Sequence, residues 1–319
     1  MSAPRSPEDS QLELARAHSA VRRAGYALLP GEAFSYLLHL RPLEWPIMIG
    51  HTALGFLLAV GFTPLKSWTG WPTLLLALFV WVVCLNGGTL AINSAFDRDV
   101  GDVGYLDSPP PVPGGLAWFS AGLMALGLLL AFRLPSGFVA AYATCVMLSL
   151  AYSVPPLRLK AVAGADWIIN MVGFGTLTPY AGWAATGRPL STAAFWILLG
   201  FIPLFASLYP LTQLYQLDED RERGDRTLAI AIGVRASLAV ALVAALLAFA
   251  AFARAGIMAA IPMRGSVALT VALVAWLAVL VPWWRLEPTR SMAQRKRGMY
   301  QALTAWAVTD VAILVAFAP

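Results

Sequence analysis

Long apolar runs separated by short polar turns dominate the chain, and nine of these runs approach the ~20 residues a bilayer core demands of a helix. They lie roughly at 45–63, 72–93, 115–134, 137–153, 166–184, 192–215, 235–255, 266–284 and 299–317. The pattern predicts an all-α polytopic membrane protein, with nine transmembrane helices bundled around a central cavity. Residues 1–40 are polar and basic and lack the hydrophobic core of a cleavable signal peptide. They read as a tail leading into an interfacial helix near 31–41, with the membrane domain over 41–319.

Composition sharpens this picture. Apolar residues make up 59% and charged residues 12% of the 319, about half the charge of a soluble domain. Cys84 and Cys145 both fall inside apolar runs, so neither a disulfide framework nor a metal-ligand spacing is present. His18, His39 and His51 form no zinc pattern. The net charge of +5 reflects topology rather than nucleic-acid binding. With the N-terminus inside, all of the 22 Lys and Arg except Lys66, Arg133, Arg188, Arg254 and Arg264 fall on one side. The positive-inside rule makes that side cytoplasmic, as in a bacterial inner membrane.

On that same side lie two acidic clusters, each following a long apolar run. The first reads Asn93-Ser-Ala-Phe-Asp97-Arg98-Asp99-Val-Gly-Asp102, and the second Gln216-Leu-Asp218-Glu219-Asp220-Arg-Glu222-Arg-Gly-Asp225. With Asp107 they hold nine of the 17 acidic residues. Helical residues four apart share a face, so Asn93 with Asp97, and Gln216 with Asp220, each present an amide oxygen and a carboxylate one turn apart. Hard oxygen donors of this kind suit Mg²⁺, which shares its shell with substrate phosphates. Asp218, Glu219 and Glu222 cannot all face one site, and some of them pair with Arg221, Arg223 and Arg226. Between the clusters, Tyr152-Ser-Val-Pro-Pro-Leu-Arg158-Leu-Lys160 ends a helix at its proline pair. Arg158 and Lys160, two apart in an extended segment, face the same way and can clamp phosphate oxygens, although simple positive-inside topology also accounts for basic residues here.

These segments resemble the UbiA superfamily of intramembrane prenyltransferases. Its first loop reads Asn-Asp-x-x-Asp-x-x-x-Asp and its second Asp-x-x-x-Asp-x-x-x-Gly/Asp, with Tyr-Ser-x-Pro-Pro-x-x-x-Lys between them in many members. The matches here are Asn93 and Asp97-Arg98, Tyr152 to Lys160, and Asp220 to Leu228; Arg41-Pro42 with Trp45 also looks like the family's start. The likeness runs from about residue 38 to 317. Ser94 stands where the family usually has Asp, Gly101 takes the last aspartate position, and Gln216 opens the second loop in place of Asp. Asp102 or Asp99 must then replace the missing ligand. The stretch 108–113, Ser-Pro-Pro-Pro-Val-Pro, replaces an Arg-Pro-x-Pro.

The resemblance implies Mg²⁺-dependent transfer of a prenyl group from an isoprenyl diphosphate to a hydrophobic acceptor, with an aromatic ring expected. Asn93, Asp97 and Asp220 would be central to catalysis. The metal would be held by Asn93, Asp97, Asp99 or Asp102 on one side and by Gln216 and Asp220 on the other. Tyr152, Arg158, Lys160 and Arg98 would bind the diphosphate. The apolar bundle would exclude water from an allylic cation, and some of the 12 Trp, 15 Phe and 9 Tyr can stabilise it. A membrane terpene cyclase would use the same site without an acceptor. A non-catalytic binding protein or lipid transporter is disfavoured, because a transporter should show paired halves with discontinuous helices at the midplane, whereas here the acids lie at span ends on one face. Asp166 and Asn170, four apart, either line the cavity or cap a helix. Asp310, deep in the last run, either orients an acceptor or pairs with a neighbouring helix.

Overall fold

The computed structural model describes residues 7–29, 31–97, 102–222 and 224–319. Helices follow the apolar runs: α1 Trp45–Val60, α2 Trp71–Asp97, α3 Leu116–Ala131, α4 Ser136–Ser153, α5 over 165–184, α6 Thr192–Gln213, α7 Val234–Ala259, α8 Met263–Leu286 and α9 Met292–Phe317. Among the described residues no strand forms, and two isolated β-bridges are the only extended pairings. Among the described residues six helices, α2, α4, α6, α7, α8 and α9, are long and apolar enough to cross a membrane. The apolar α1 and α3 are shorter, at 16 residues each. The N-terminal segment, expected as a polar tail, is helical over Pro7–Ala17 and Ala20–Leu28, and a short helix, Ala33–His39, precedes α1.

Two helices carry a wide π turn in mid-course, Phe79–Gly87 in α2 and Met171–Leu177 in α5. Such turns leave the i→i−4 ladder and recur beside functional sites. Here the two segments meet, because Trp81 Nε1 donates to Thr178 Oγ1 at 3.3 Å.

The helices pack as two apolar cores. One joins α6, α7, α8 and α9 around Phe201, Phe252, Trp276 and Trp283, all fully buried. The other joins α2, α4 and α5 around Trp81, Phe138 and Tyr142. α1 contributes to both, supplying Leu54 and Leu58 to the first and Met48 to the second. It is pinned against α5 by paired glycines: a Cβ on Gly55 would collide with Pro179 O, and one on Gly182 with Thr52 O. Backbone contact at small residues is how helices associate where the surroundings are as apolar as leucine. Accordingly, large apolar side chains such as Trp118, Leu129, Leu247, Ile257 and Val311 point outward and are more than half exposed.

Candidate active site

Between the two cores lies a chamber of about 320 Å³. Its inner walls are apolar, with Leu85, Leu148, Phe174, Phe205, Leu208 and Trp306. Its polar end is built where three helices terminate. α2 ends at Asp97 and supplies Asn93 and Asp97 from one face. α4 ends at Ser153 and supplies Tyr152 and, two turns of chain later, Lys160. α6 runs into the second acidic cluster, where Gln216, Asp220, Asp225 and Thr227 line the wall.

Charge is densely paired here. The Lys160 ammonium sits on the Asp97 carboxylate and donates to Asn93 Oδ1 at 3.3 Å. Ser153 Oγ also donates to that oxygen, at 3.4 Å. Arg158 bridges the two acidic clusters, 3.6 Å from Asp97 Oδ1 and 2.8 Å from Asp225 Oδ1. Its loop is locked to the second cluster by backbone pairing, with Arg226 N–H donating to Ala161 O at 3.2 Å. Gly224, at φ +74°, turns the chain so that the Asp225 amide reaches Asp220 O at 2.9 Å. That turn brings Asp225 back into the wall, where it is 5% exposed. Tyr152 and Tyr209 share a hydroxyl contact of 2.8 Å across the chamber.

The structure thus gathers Asn93, Asp97, Tyr152, Lys160, Gln216 and Asp220 in one chamber, with Asn170 beside them and Arg158 reaching in from its rim. Arg98 and Asp99 lie outside the described residues. Asp102 must be corrected. It is half exposed and turned away from the chamber, accepting from Ser108 N at 2.9 Å and from Lys296 Nζ at 3.3 Å. Although partial burial works against its charge, these two donors hold its carboxyl below the usual carboxylate range. The first loop turns tightly through the Val103–Leu106 bridge, so Val103, Gly104 and Tyr105 face inward instead. The loop is fastened from outside as well, because the buried Arg22 guanidinium donates to Asp107 O at 2.6 Å and Ser108 O at 2.8 Å. Asp218 is exposed and pairs with Arg221.

Asp166 does not line the chamber, and it is not the N-cap of its own helix, which is Gly164. It is wholly buried and accepts from Gly164 N at 2.8 Å, Gln213 Nε2 at 2.6 Å and Leu228 N at 3.3 Å. Gln213 in turn accepts from Ala229 N at 3.1 Å. The carboxylate therefore ties the start of α5 to the end of α6 and to the chain leaving the second acidic cluster. Asp166→Ala is expected to lower unfolding stability by about 2–4 kcal/mol, since it strands several buried donors. A thermal melt in detergent would check this; an unchanged melt would contradict it.

Other groups in the chamber wall carried weaker sequence signals. Asp225 sits at the edge of a cluster whose Asp218–Asp220 core drew attention first. Glu44 and His51 are isolated polar residues around α1, and Asn86 is a single amide within an apolar run. At the inner end of the chamber, His51 Nδ1 lies 3.1 Å from Asp310 Oδ1, and Nε2 lies 3.3 Å from Gly175 O. Of the two readings of Asp310, the structure shows pairing with a neighbouring helix.

The model of the UbiA prenyltransferase family matches residues 45–304. The chain belongs to that family. It is similar to digeranylgeranylglyceryl phosphate synthase of Natronomonas pharaonis, 28% identical over 73% of this chain and 83% of the relative. It is also similar to the chloroplastic homogentisate solanesyltransferase of Arabidopsis thaliana, 29% identical over 59% of this chain and 51% of that protein. In fold it matches a UbiA homologue from Archaeoglobus fulgidus whose structure was solved bound to DMAPP and Mg²⁺. That match has a TM-score of 0.64 at 21% identity and covers 87% of this chain and 99% of the other. Family membership together with six apolar helices makes the chain an integral membrane protein.

Proposed function

We propose that the chain transfers a prenyl group from an isoprenyl diphosphate to a hydrophobic, aromatic acceptor, using Mg²⁺. As a UbiA-family member it is a prenyltransferase. One observation carries the donor reading: two acidic clusters and two cations converge at the polar end of a chamber whose remaining walls are apolar. A diphosphate needs the first and an isoprenoid tail needs the second. The relatives point the same way, since both the digeranylgeranylglyceryl phosphate synthase and the solanesyltransferase are named for isoprenoid groups. The solanesyltransferase names a phenolic acceptor, homogentisate.

The residues present fit Mg²⁺. Asp97 Oδ1 is buried with no hydrogen-bond partner, and Asn93, Gln216, Asp220 and Asp225 add oxygen donors around the same space. Among the described residues no three carboxylates or histidines come together as a closed metal site. That suits an ion taking one or two protein carboxylates on each side and the rest of its shell from substrate phosphate. Asn93 and Asp97, with Gln216 and Asp220 opposite, would hold it, and it would neutralise charge growing on the departing diphosphate. Lys160 and Arg158 contribute to the same stabilisation from the α4–α5 loop, pre-aimed and partly buried. Tyr152 and Tyr209 close the polar end over the reacting carbon. The aromatic walls, Phe174, Phe205 and Trp306 among them, keep water from the allylic cation and present π faces to it.

On this reading the nine helices make nine crossings and place both acidic loops in the cytoplasm. The test is diphosphate release by the purified protein with farnesyl or geranylgeranyl diphosphate and a panel of phenolic acceptors. Release with Mg²⁺, none in EDTA, and a prenylated adduct by mass spectrometry are expected. Full activity in EDTA would overturn the metal assignment, and release without acceptor that gives a cyclic hydrocarbon would make the chain a cyclase.

A further inference from the structure

Prenylation leaves the acceptor with a proton to lose. The carboxylates of the diphosphate end are, on the reading above, committed to cations. A second polar group lines the same chamber away from them. Glu44, immediately before α1, and Asn86, in the wide turn of α2, both face the cavity. Asn86 is 3% exposed; its side chain faces the Glu44 carboxyl, and neither amide atom makes a close hydrogen bond. Buried polar groups are almost always partnered, and one inside an apolar helix bundle has no water to turn to. An amide in a cavity wall whose neighbour is a single carboxyl keeps hydrogen-bonding capacity that a ligand can fill. Asn86 lies seven residues inward from Asn93 along α2, about 10 Å by helix rise.

Glu44 complements that amide. Burial pushes its carboxyl up to about 7, against the nearby Arg41 guanidinium and the Asn86 side chain, which favour the charged form. Arg41 is otherwise engaged, donating to Gly104 O and to Ser94 Oγ, both at 3.3 Å. From the first loop Tyr105 faces the same space; burial and the Glu44 charge both push its hydroxyl well above the ordinary tyrosine value. Glu44 is thus the group in this cluster poised to exchange a proton near neutrality.

We propose that Glu44 and Asn86 form the acceptor subsite, that the acceptor carries a hydroxyl group, and that Glu44 takes the proton the acceptor loses. This rests on the donor reading above. In the step, the bond from the prenyl carbon to the diphosphate oxygen breaks and its electron pair leaves with the diphosphate. The acceptor's nucleophilic atom bonds to that carbon, and the acceptor's proton passes to the Glu44 carboxylate and from there to water. Asn86 holds the hydroxyl, accepting from it through its carbonyl oxygen or donating to it through its NH₂.

The experiment compares wild type with Glu44→Gln and Asn86→Ala, using geranyl diphosphate and Mg²⁺. The acceptors are 4-hydroxybenzoate, homogentisate and, as the hydroxyl-free control, 4-methoxybenzoate. Donor binding is measured separately by calorimetry, which also reports folding of each variant. Wild type is expected to prenylate the hydroxylated acceptors only, with a rate rising with pH through about 7 as Glu44 loses its proton. Glu44→Gln should lose that rise and roughly 10²–10⁴ in kcat, the range general bases contribute, with donor binding intact. Asn86→Ala should raise the acceptor KM with kcat little changed. A Glu44→Gln enzyme with wild-type rate and pH profile overturns the proposal. So does a wild type that binds donor yet prenylates neither hydroxylated acceptor. Wild type failing to bind any prenyl diphosphate overturns the donor reading itself, and the calorimetry separates that case from the others.

Discussion

Asp97→Ala and Asp220→Ala are each expected to abolish turnover, by at least roughly 10³-fold, while the protein still extracts as a monodisperse species. Both carboxylates lie at helix ends in a chamber wall rather than in either apolar core. Their loss removes charge that stabilises the transition state rather than packing. Asp97→Ala also leaves the Lys160 ammonium with Asn93 as its remaining recorded contact at 3.3 Å. That variant should therefore weaken donor binding less than it weakens turnover, since the freed cation can still meet a phosphate. Single-turnover rates alongside donor calorimetry would show the split. Wild-type turnover in either variant would remove these residues from the mechanism.

The second large effect is on stability. Gly175 O can only accept, so His51 Nε2 donates to it, and Nδ1 faces the Asp310 carboxyl at 3.1 Å. Phe201 and Trp306 cage the imidazole at ring distances of 4.7 and 5.0 Å. It links α1, α5 and α9 at one depth. Removing one partner strands the other in apolar surroundings, at a cost of about 3–5 kcal/mol, whereas an apolar pair of similar volume can be neutral. His51→Leu and Asp310→Leu should therefore each lower the melting temperature in detergent markedly, and the double variant should recover most of the loss. A double variant no more stable than the worse single one would contradict this account.

Much of this protein is legible in its sequence because a membrane bundle writes its helices as apolar runs, and an acidic cluster among them stands out. Asn93 with Asp97, and Gln216 with Asp220, share faces at the spacing a helix imposes, and they reach one chamber. Asp102 was misread because motif spacing says nothing of a tight turn that carries the chain away from the helix axis. Asp166 illustrates the converse. A buried carboxylate in a helix signals significance, but the sequence does not reveal that its partners come from Gln213 and Leu228, far along the chain. Glu44 and Asn86 are single polar residues whose meaning arises only when α2 is folded beside the start of α1.

The wide turns in α2 and α5 give residue count a mechanical meaning. An α-helix advances about 100° per residue, so the angular phase of Asn93 and Asp97 relative to the face that buries Ala77 depends on the extra slack in Phe79–Gly87. Rewinding that turn as ordinary α-helix with the same residues would rotate both ligands by about 100° relative to that face without altering any residue at the site. The same holds for Met171–Leu177, which carries the carbonyl that His51 uses. In these two helices length is coupled to chemistry: the gearing between core and active site tolerates substitution more readily than insertion or deletion.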